Sequence, residues 1–246
     1  MTRNPRGPLI RLLSPVLAVA GTALLVAACT SGSAGIPTIP PPTPDTSTPT
    51  PEPTHPGPTY PPGCPTSQPA ALGQDDVRVV TIQTSKGEIE ITVKGSLSPI
   101  ATGNFVALAE CGYYDGVIFH RVATRPDGTP FVIQGGDGQF GREPDVYSDI
   151  VGSGGPPYTI QDEPVTARYH RGTVAMARTS EPNSVGSQFF IVLDDTDEAV
   201  LSSYNTYPIV GEVTSGMDTV DAIYADADGE APTNPVAMDK VTVSTP

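Results

Sequence analysis

Apolar and polar residues alternate along residues 77–93, VRVVTIQTSKGEIEITV, in two runs separated by a turn at 85–87. A period of two places successive side chains on opposite faces of a strand, so this stretch predicts a β-hairpin. The next stretch, SPIATGNFVALAECG, has Pro99 at the first helical position and apolar residues at helical spacing before Gly112. It predicts one helix, with Ser98 as its N-cap.

Short apolar runs dominate the rest of the chain and alternate with loops rich in Gly, Pro and Asp. They lie at 117–119, 131–133, 173–177, 189–193, 209–213 and 241–243. A second helix is predicted from about Met217 to Tyr224. Strands that are joined by turns, and not by regular helices, favour an antiparallel barrel or sandwich over a parallel α/β sheet.

A proline-rich stretch precedes these predicted elements. Twelve of the 29 prolines lie between Thr30 and Pro62, so this part is predicted to be an extended spacer without a packed core. From Asp75 onward the chain has 25 acidic and 10 basic residues, which gives a net charge of 10 − 25 = −15. This charge repels a phosphate backbone, so we expect no nucleic-acid partner.

The amino-terminal residues 1–28 have the layout of a secretory signal peptide. Three arginines precede an apolar segment that ends in small residues before Cys29. Residues 26–29, VAAC, resemble a bacterial lipobox, whose cysteine receives a lipid and becomes the new amino terminus after cleavage. An uncleaved membrane helix is the alternative interpretation, but Pro15 and the placement of the cysteine favour a lipid anchor.

This layout divides the chain into a signal peptide (1–28), a lipidated spacer (29–74) and a folded domain (75–246). We expect the domain to lie outside the cytoplasm, anchored through lipid to the outer face of the bacterial cell membrane. The mature chain then keeps Cys64 and Cys111, an even number in a compartment that permits disulfides. Sequence alone does not give the distance between their Cα atoms, so a disulfide and two free thiols both remain open.

Two further patterns match known binding motifs only in part. The string GDGQFG, at 136–141, satisfies G-x-G-x-x-G, but Pro144 follows and no helix is predicted there to bind a pyrophosphate. The acidic stretches DDTDE, at 194–198, and DADGE, at 226–230, lack the spacing of a calcium loop. We therefore predict no cofactor and no metal, and we assign no chemistry to His120.

Arg121 is unusual because a guanidinium with five rigid donors directly follows the apolar run in VIFHRVAT. Taken alone, this residue fits a structural ion pair as well as a functional role. The surrounding sequence favours function. Six blocks, NFVALAECGYYDGVIFHRV, FVIQGGD, GSGGPPYTIQDE, GTVAMAR, NSVGSQFFIVL and VGEVTSGMDTVDAI, together resemble the bacterial cyclophilin-type peptidyl-prolyl cis-trans isomerases. The resemblance extends from about Val77 to Val243.

The resemblance implies a mainly β fold, an eight-stranded antiparallel β-barrel capped by two α-helices. It also implies an enzyme that accelerates rotation about X-Pro bonds. Arg121 matches the family's catalytic arginine, and Gln134 matches the glutamine that supports it. The residues that match the family's substrate-binding positions are Phe131, Val132, Ala177, Arg178, Gln188, Phe190, Leu201 and Tyr207.

The sequence departs from the family pattern at several points. Nine residues, 122–130, separate Arg121 from Phe131 where the family usually has about four, so this part resembles an insertion beside the active groove. Arg178 replaces an asparagine, and its charge is expected to favour acidic residues near the substrate proline. The tract that holds Leu201 is also longer than in the family.

The expected partners are proline-containing polypeptides among secreted or envelope proteins, and the domain is expected to be a monomer. A membrane-tethered module that binds proline-containing peptides without catalysis is the alternative.

Overall fold

The computed structural model describes residues 60–204 and 206–246. The predicted signal peptide, Cys29 and most of the predicted spacer lie outside the described residues. Among the helices of the described residues, none has the length and apolar character that a membrane span requires.

The described residues form ten strands and three α-helices. The strands are β1 (Val77–Thr84), β2 (Gly87–Lys94), β3 (Val117–Ile118), β4 (Arg121–Thr124), β5 (Pro130–Gly135), β6 (Thr173–Met176), β7 (Phe189–Val192), β8 (Ile209–Ser215), β9 (Ala237–Met238) and β10 (Lys240–Ser244). The helices are α1 (Pro99–Glu110), α2 (Glu198–Tyr204) and α3 (Met217–Asp226). A single 3₁₀ turn, Asp195–Asp197, immediately precedes α2.

Eight of these strands form one antiparallel sheet in the order β10-β1-β2-β8-β6-β7-β5-β4, and β3 pairs with β9 separately. The predicted eight-stranded antiparallel fold is therefore confirmed, and the predicted hairpin is the β1–β2 pair. The predicted number of helices is wrong by one, because α2 forms within the long tract around Leu201. This helix has seven residues, which is too short for hydrophobic periodicity to reveal.

Helix α1 begins after Ser98, as predicted, but the serine side chain makes no capping hydrogen bond. The carboxylate of Glu163 instead accepts from the backbone N–H groups of Ile100 and Ala101, at 2.9 and 2.8 Å. A carboxylate at this end also interacts favourably with the helix dipole. A local capping rule cannot identify Glu163, because it lies 63 residues from Ile100 along the chain.

The apolar strands in the centre of the sheet contribute to two separate hydrophobic clusters. In β7, Phe189 and Ile191 belong to the main core, which includes the buried face of α1. Phe190 and Val192 belong to a second, smaller cluster. Because successive side chains point to opposite faces, a strand that is covered on both sides has the continuous apolar sequence FFIV. The second cluster lies on the face that carries the candidate site.

The folded domain begins before the predicted boundary at residue 75. Cys64 forms a disulfide with Cys111, which directly follows α1, and their Cα atoms are 5.2 Å apart. Leu72 donates its backbone N–H to the carbonyl of the first residue of α1 at 2.9 Å. Residues 60–74 therefore belong to the domain, because long-range bonds hold them in spite of their loop-like composition.

Replacing both cysteines by serine is expected to lower the free energy of unfolding by about 2–4 kcal/mol, because the cross-link restricts the unfolded chain. The two cysteines are 47 residues apart, so the closed loop is long. Denaturant unfolding with and without reductant measures the effect, and reductant should leave the double variant unchanged. Equal midpoints for the native chain and the variant under oxidising conditions would contradict this prediction.

Candidate functional site

A cavity of about 180 Å³ is built on the second apolar cluster. The structure places nine of the ten predicted catalytic and substrate-binding residues around it. These are Arg121, Phe131, Val132, Gln134, Ala177, Arg178, Phe190, Leu201 and Tyr207. The cavity therefore combines a polar side, which includes a guanidinium, with an apolar side.

The register of the sheet explains why residues so far apart in sequence meet here. Arg121 of β4 lies opposite Gln134 of β5, and Gln134 in turn lies opposite Phe190 of β7. Phe190 pairs with Ala175 of β6 on its other side. Directly opposed residues share a face of the sheet. The guanidinium, the amide and the aromatic ring therefore form one row across three strands.

The apolar side of the cavity consists mainly of buried side chains. Val132, Phe190 and Leu201 have relative exposures of 2%, 4% and 3%. The ring of Tyr207 packs edge-on against Phe190, with the centroids 5.4 Å apart and the planes at 86°. Phe131 is partly exposed and packs against the same cluster. This side presents a surface of packed apolar side chains that suits an apolar ring.

Arg121 makes two side-chain hydrogen bonds at the cavity. Its Nε donates to Oε1 of Glu230 at 2.7 Å, and its Nη1 donates to Oε1 of Gln134 at 3.3 Å. A guanidinium has five N–H donors, so three of them have no partner in the described part of the chain. The Arg121 and Glu230 side chains are 38% and 64% exposed, so their ion pair is solvated and contributes at most about 1 kcal/mol.

Arg121 thus forms an ion pair, which was one of its two interpretations, and it also lines the cavity. Its functional role stays a prediction. The pair leaves the arginine charged, oriented and able to donate further hydrogen bonds.

Gln134 is itself held in one orientation by a second amide. Its Nε2 donates to Oε1 of Gln188 at 2.9 Å, and Nε2 of Gln188 donates to the carbonyls of Gly152 and Gly154 at 2.9 and 2.8 Å. This chain of bonds directs the amide oxygen of Gln134 towards Arg121. Gln188 does not line the smaller cavity; it lines a neighbouring one of about 540 Å³ that shares Gln134 with the first.

Asp137 supports this arrangement and was not predicted from the sequence. It has no exposed area. Its carboxylate accepts four backbone N–H bonds, of 2.7 to 3.1 Å, from Gln139, Phe140, Gly152 and Gly154. Hydrogen bonds to an ionised acceptor are strong, so Asp137 fixes the loop whose carbonyls bind Gln188. The only signal in the sequence for this role was the position of Asp137 between two glycines.

The glycines of the 136–141 string serve turns and close packing, in agreement with the rejection of a dinucleotide site. Gly136 has φ +93°, and a Cβ there would lie 2.7 Å from the carbonyl oxygen of Ser187. A Cβ on Gly138 would lie 2.5 Å from the ring of Tyr113. Both distances are too short for a residue that carries a Cβ atom. Close packing therefore explains these glycines, and a bound phosphate is not needed to explain them.

The charge of Arg178 is paired with a carboxylate of another loop of the domain. Its Nη1 lies 3.3 Å from Oδ1 of Asp162, and its Nη2 donates to the carbonyl of Glu181 at 2.7 Å. The side chain is only 10% exposed. The expectation that this charge favours acidic residues near the substrate proline is therefore not supported, because an internal carboxylate already pairs with it.

Residues 122–130, the predicted insertion, comprise most of β4, a tight turn and the first residue of β5. None of its residues lines the 180 Å³ cavity. Arg125 instead reaches the turn before α2, where it donates to the hydroxyl of Thr196 at 2.6 Å and approaches Asp197 to 3.4 Å. Since α2 carries Leu201, the insertion braces an element that forms one wall of the cavity.

The carboxyl of Asp197 should make stability depend on pH. It has no exposed area, and burial raises its pKa to about 6 in spite of the nearby Arg125. The folded state therefore binds this proton more tightly than the unfolded state, so the stabilisation is complete below the unfolded pKa and is lost as the pH rises through about 6.

Compared with Asp197→Asn, which does not titrate, the native chain is expected to lose about 1 kcal/mol of unfolding free energy between pH 5 and pH 7.5. Denaturant unfolding of both chains at the two pH values measures the change, and comparing the chains cancels the titration of all other groups. A difference between the chains that stays constant with pH would contradict the prediction.

Comparisons with known proteins agree with this geometry. Residues 79–243 match the family described as cyclophilin type peptidyl-prolyl cis-trans isomerase/CLD. A probable peptidyl-prolyl cis-trans isomerase of Brucella abortus (strain 2308) is 34% identical over 177 residues, which is 70% of this chain and 86% of that protein. Peptidyl-prolyl cis-trans isomerase B of Escherichia coli (strain K12) is 34% identical over 177 residues, 68% of this chain and 99% of that protein.

Solved structures show the same similarity. The crystal structure of a Cryptosporidium parvum cyclophilin type peptidyl-prolyl cis-trans isomerase superposes with a TM-score of 0.56 at 26% identity, covering 69% of this chain and 99% of that one. A second structure of that protein, in the presence of the dipeptide Ala-Pro, gives a TM-score of 0.56 at 27% identity, covering 68% and 99%. The residues matched by the family include every residue of the cavity.

Proposed function

The chain belongs to the cyclophilin-type peptidyl-prolyl cis-trans isomerases, and on this premise we propose that Arg121 provides the catalytic contact to the prolyl nitrogen. The observation that carries the proposal is that a charged guanidinium with unused donors and a dry apolar surface line the same cavity. The proline ring binds against Val132, Phe190 and Leu201, and the peptide bond before it lies beside Arg121. The Ala-Pro dipeptide present with the Cryptosporidium parvum relative supports a proline-containing ligand of this kind.

The reaction needs no nucleophile and no acid-base group. An X-Pro bond rotates over a barrier of about 18–20 kcal/mol, because amide resonance is lost at the twisted geometry. There the prolyl nitrogen becomes pyramidal and gains a lone pair. A donor aimed at this lone pair binds the transition state better than either ground state, which lowers the barrier.

Arg121 does not account for the whole acceleration. One charge-assisted hydrogen bond contributes about 1.5–3 kcal/mol, whereas an acceleration of five decades requires about 7 kcal/mol. The apolar side of the cavity supplies a further part by excluding water and holding the ring while the preceding carbonyl turns. Gln134, whose amide is fixed by Gln188, supports both the arginine and the substrate carbonyl.

Arg121→Ala is expected to lower kcat/KM for an X-Pro peptide by at least about tenfold, because it removes a contact made chiefly in the transition state. Peptide affinity should change much less, since the apolar side of the cavity is intact. The rate is measured by cis-trans exchange of a proline peptide with the chain lacking residues 1–28. Arg78→Ala is the matched control, because this arginine of β1 does not line the cavity.

A chain that binds X-Pro peptides but leaves their exchange rate unchanged would support the alternative, a binding module without catalysis. Native activity in Arg121→Ala would instead exclude the proposed role of the arginine.

We further propose that the enzyme acts on secreted or envelope proteins while tethered to the outer face of the cell membrane through a lipid on Cys29. The signal-like residues 1–28 and the VAAC sequence support this proposal. The disulfide between Cys64 and Cys111 also supports it, because such bonds persist in oxidising compartments outside the cytoplasm.

Cys29→Ala is expected to abolish incorporation of a labelled fatty acid and to move the protein from the membrane fraction to the soluble fraction or the medium. Labelling and fractionation of a bacterial host that expresses the full chain provide the measurement. Cys64→Ser is the control, since it changes a cysteine of the folded domain. Unaltered membrane association of an unlabelled Cys29→Ala chain would favour an uncleaved membrane helix.

A further inference from the structure

Glu230 is attached to β4 at two adjacent points. Its backbone carbonyl accepts the N–H of Val122 at 2.8 Å, and its side chain accepts Nε of Arg121 at 2.7 Å. The residue is the last of the acidic stretch 226–230, which begins with the final residue of α3. The backbone bond places this loop beside the strand, and the carboxylate then reaches the guanidinium.

We propose that Glu230 is a positioning residue that holds Arg121 in its catalytic orientation, an inference that rests on the proposed function. A guanidinium is a rigid planar fork, so contacts at two of its nitrogens fix both its plane and its direction. Glu230 binds Nε and Gln134 binds Nη1. The remaining donors are then left for the substrate.

The two contacts are not equally strong. The bond to Glu230 is short and joins two charged groups, whereas the bond to Gln134 is 3.3 Å long and has a neutral acceptor. Charge-assisted bonds are about twice as strong as neutral ones. An arginine side chain has about 2 kcal/mol of rotamer entropy to lose when it is fixed in one orientation. If part of this cost is met before the substrate binds, the activation barrier of the bound substrate is lower. Without Glu230, only the weaker contact would orient Arg121.

The carboxylate also has an opposing effect, because a negative charge reduces the field of the arginine at the prolyl nitrogen. Glu230 is 64% exposed, so water screens this effect strongly. Orientation depends on a direct bond, which water weakens to at most about 1 kcal/mol but does not remove. The loss of orientation therefore outweighs the gain in field, and removal of Glu230 lowers activity.

The variants separate the acceptor from the charge. Glu230→Ala removes both and is expected to lower kcat/KM by about threefold to fivefold with little change in peptide affinity. Glu230→Gln keeps a side chain of the same length whose oxygen can still accept from Nε, so its activity should stay within about twofold of native. Asp226→Ala is the matched control. It removes a carboxylate from the same acidic stretch, but this one pairs with Lys86 at 2.8 Å and leaves Arg121 untouched.

The deciding experiment is a double-mutant cycle with Arg121→Ala, measured by proline-peptide exchange. A residue that acts through Arg121 has nothing to orient once the guanidinium is gone, so adding Glu230→Ala to that background should change the rate by less than about 1.5-fold. Thermal unfolding of each variant shows whether the fold is retained. If Glu230→Ala does not fold, Glu230→Met, which keeps the stem without a carboxylate oxygen, takes its place in the cycle.

Each outcome supports or overturns the proposal. The same loss in both backgrounds means that Glu230 supports the loop and not the arginine. Higher activity in Glu230→Ala means that the charge effect dominates, and native activity means that Gln134 alone orients Arg121. Any of these three results overturns the proposal. Native activity in the single variant Arg121→Ala would refute the proposed function. This result differs from the three results above, so failure of the proposed function can be distinguished from failure of the role of Glu230.

Discussion

In the proposed mechanism, the orientation of one guanidinium is the constraint on which the site depends. The proposed catalytic contact requires that Arg121 stay charged, point along a fixed direction and keep donors free beside an apolar surface. A chain of side-chain bonds from Glu230 through Arg121 and Gln134 to Gln188 meets these requirements, and it ends on backbone carbonyls that Asp137 holds in place. Because each amide has an oxygen at one end and an N–H₂ group at the other, the fixed end of this chain determines which group faces the arginine.

The same sheet supplies the apolar half of the site without weakening the main core. Alternation along β7 sends Phe189 and Ile191 to the main core, while Phe190 and Val192 go to the second cluster. A buried side chain in the second cluster therefore both stabilises the sheet and lines the cavity. Phe190 therefore packs within the second cluster and also lines the cavity.

The sequence predicts those features that depend on local pattern or on ordered blocks of residues. The hairpin at 77–93 follows from alternation, and the cavity residues follow from the family resemblance. Glu163 and Glu230 could not be predicted, because each binds groups that only the folded chain brings near. The same holds for the bonds of Asp137 to Gly152 and Gly154, which fix the loop beside Gln188. The sequence of the acidic stretch at 226–230 does not distinguish its last residue from the others. Glu230 reaches Arg121 because the fold places it beside β4, and composition does not reveal that position.

The insertion at 122–130 affects the cavity although none of its residues lines it. Helix α2 has only seven residues, so its intrinsic stability is low and tertiary contacts must hold it. The side chain of Asp194 caps the preceding turn, and Arg125 of the insertion binds Thr196 in that turn. Leu201 thus depends for its position on a hairpin whose ends are the cavity residues Arg121 and Phe131. The polar and apolar walls of the site are connected through this hairpin as well as through the sheet.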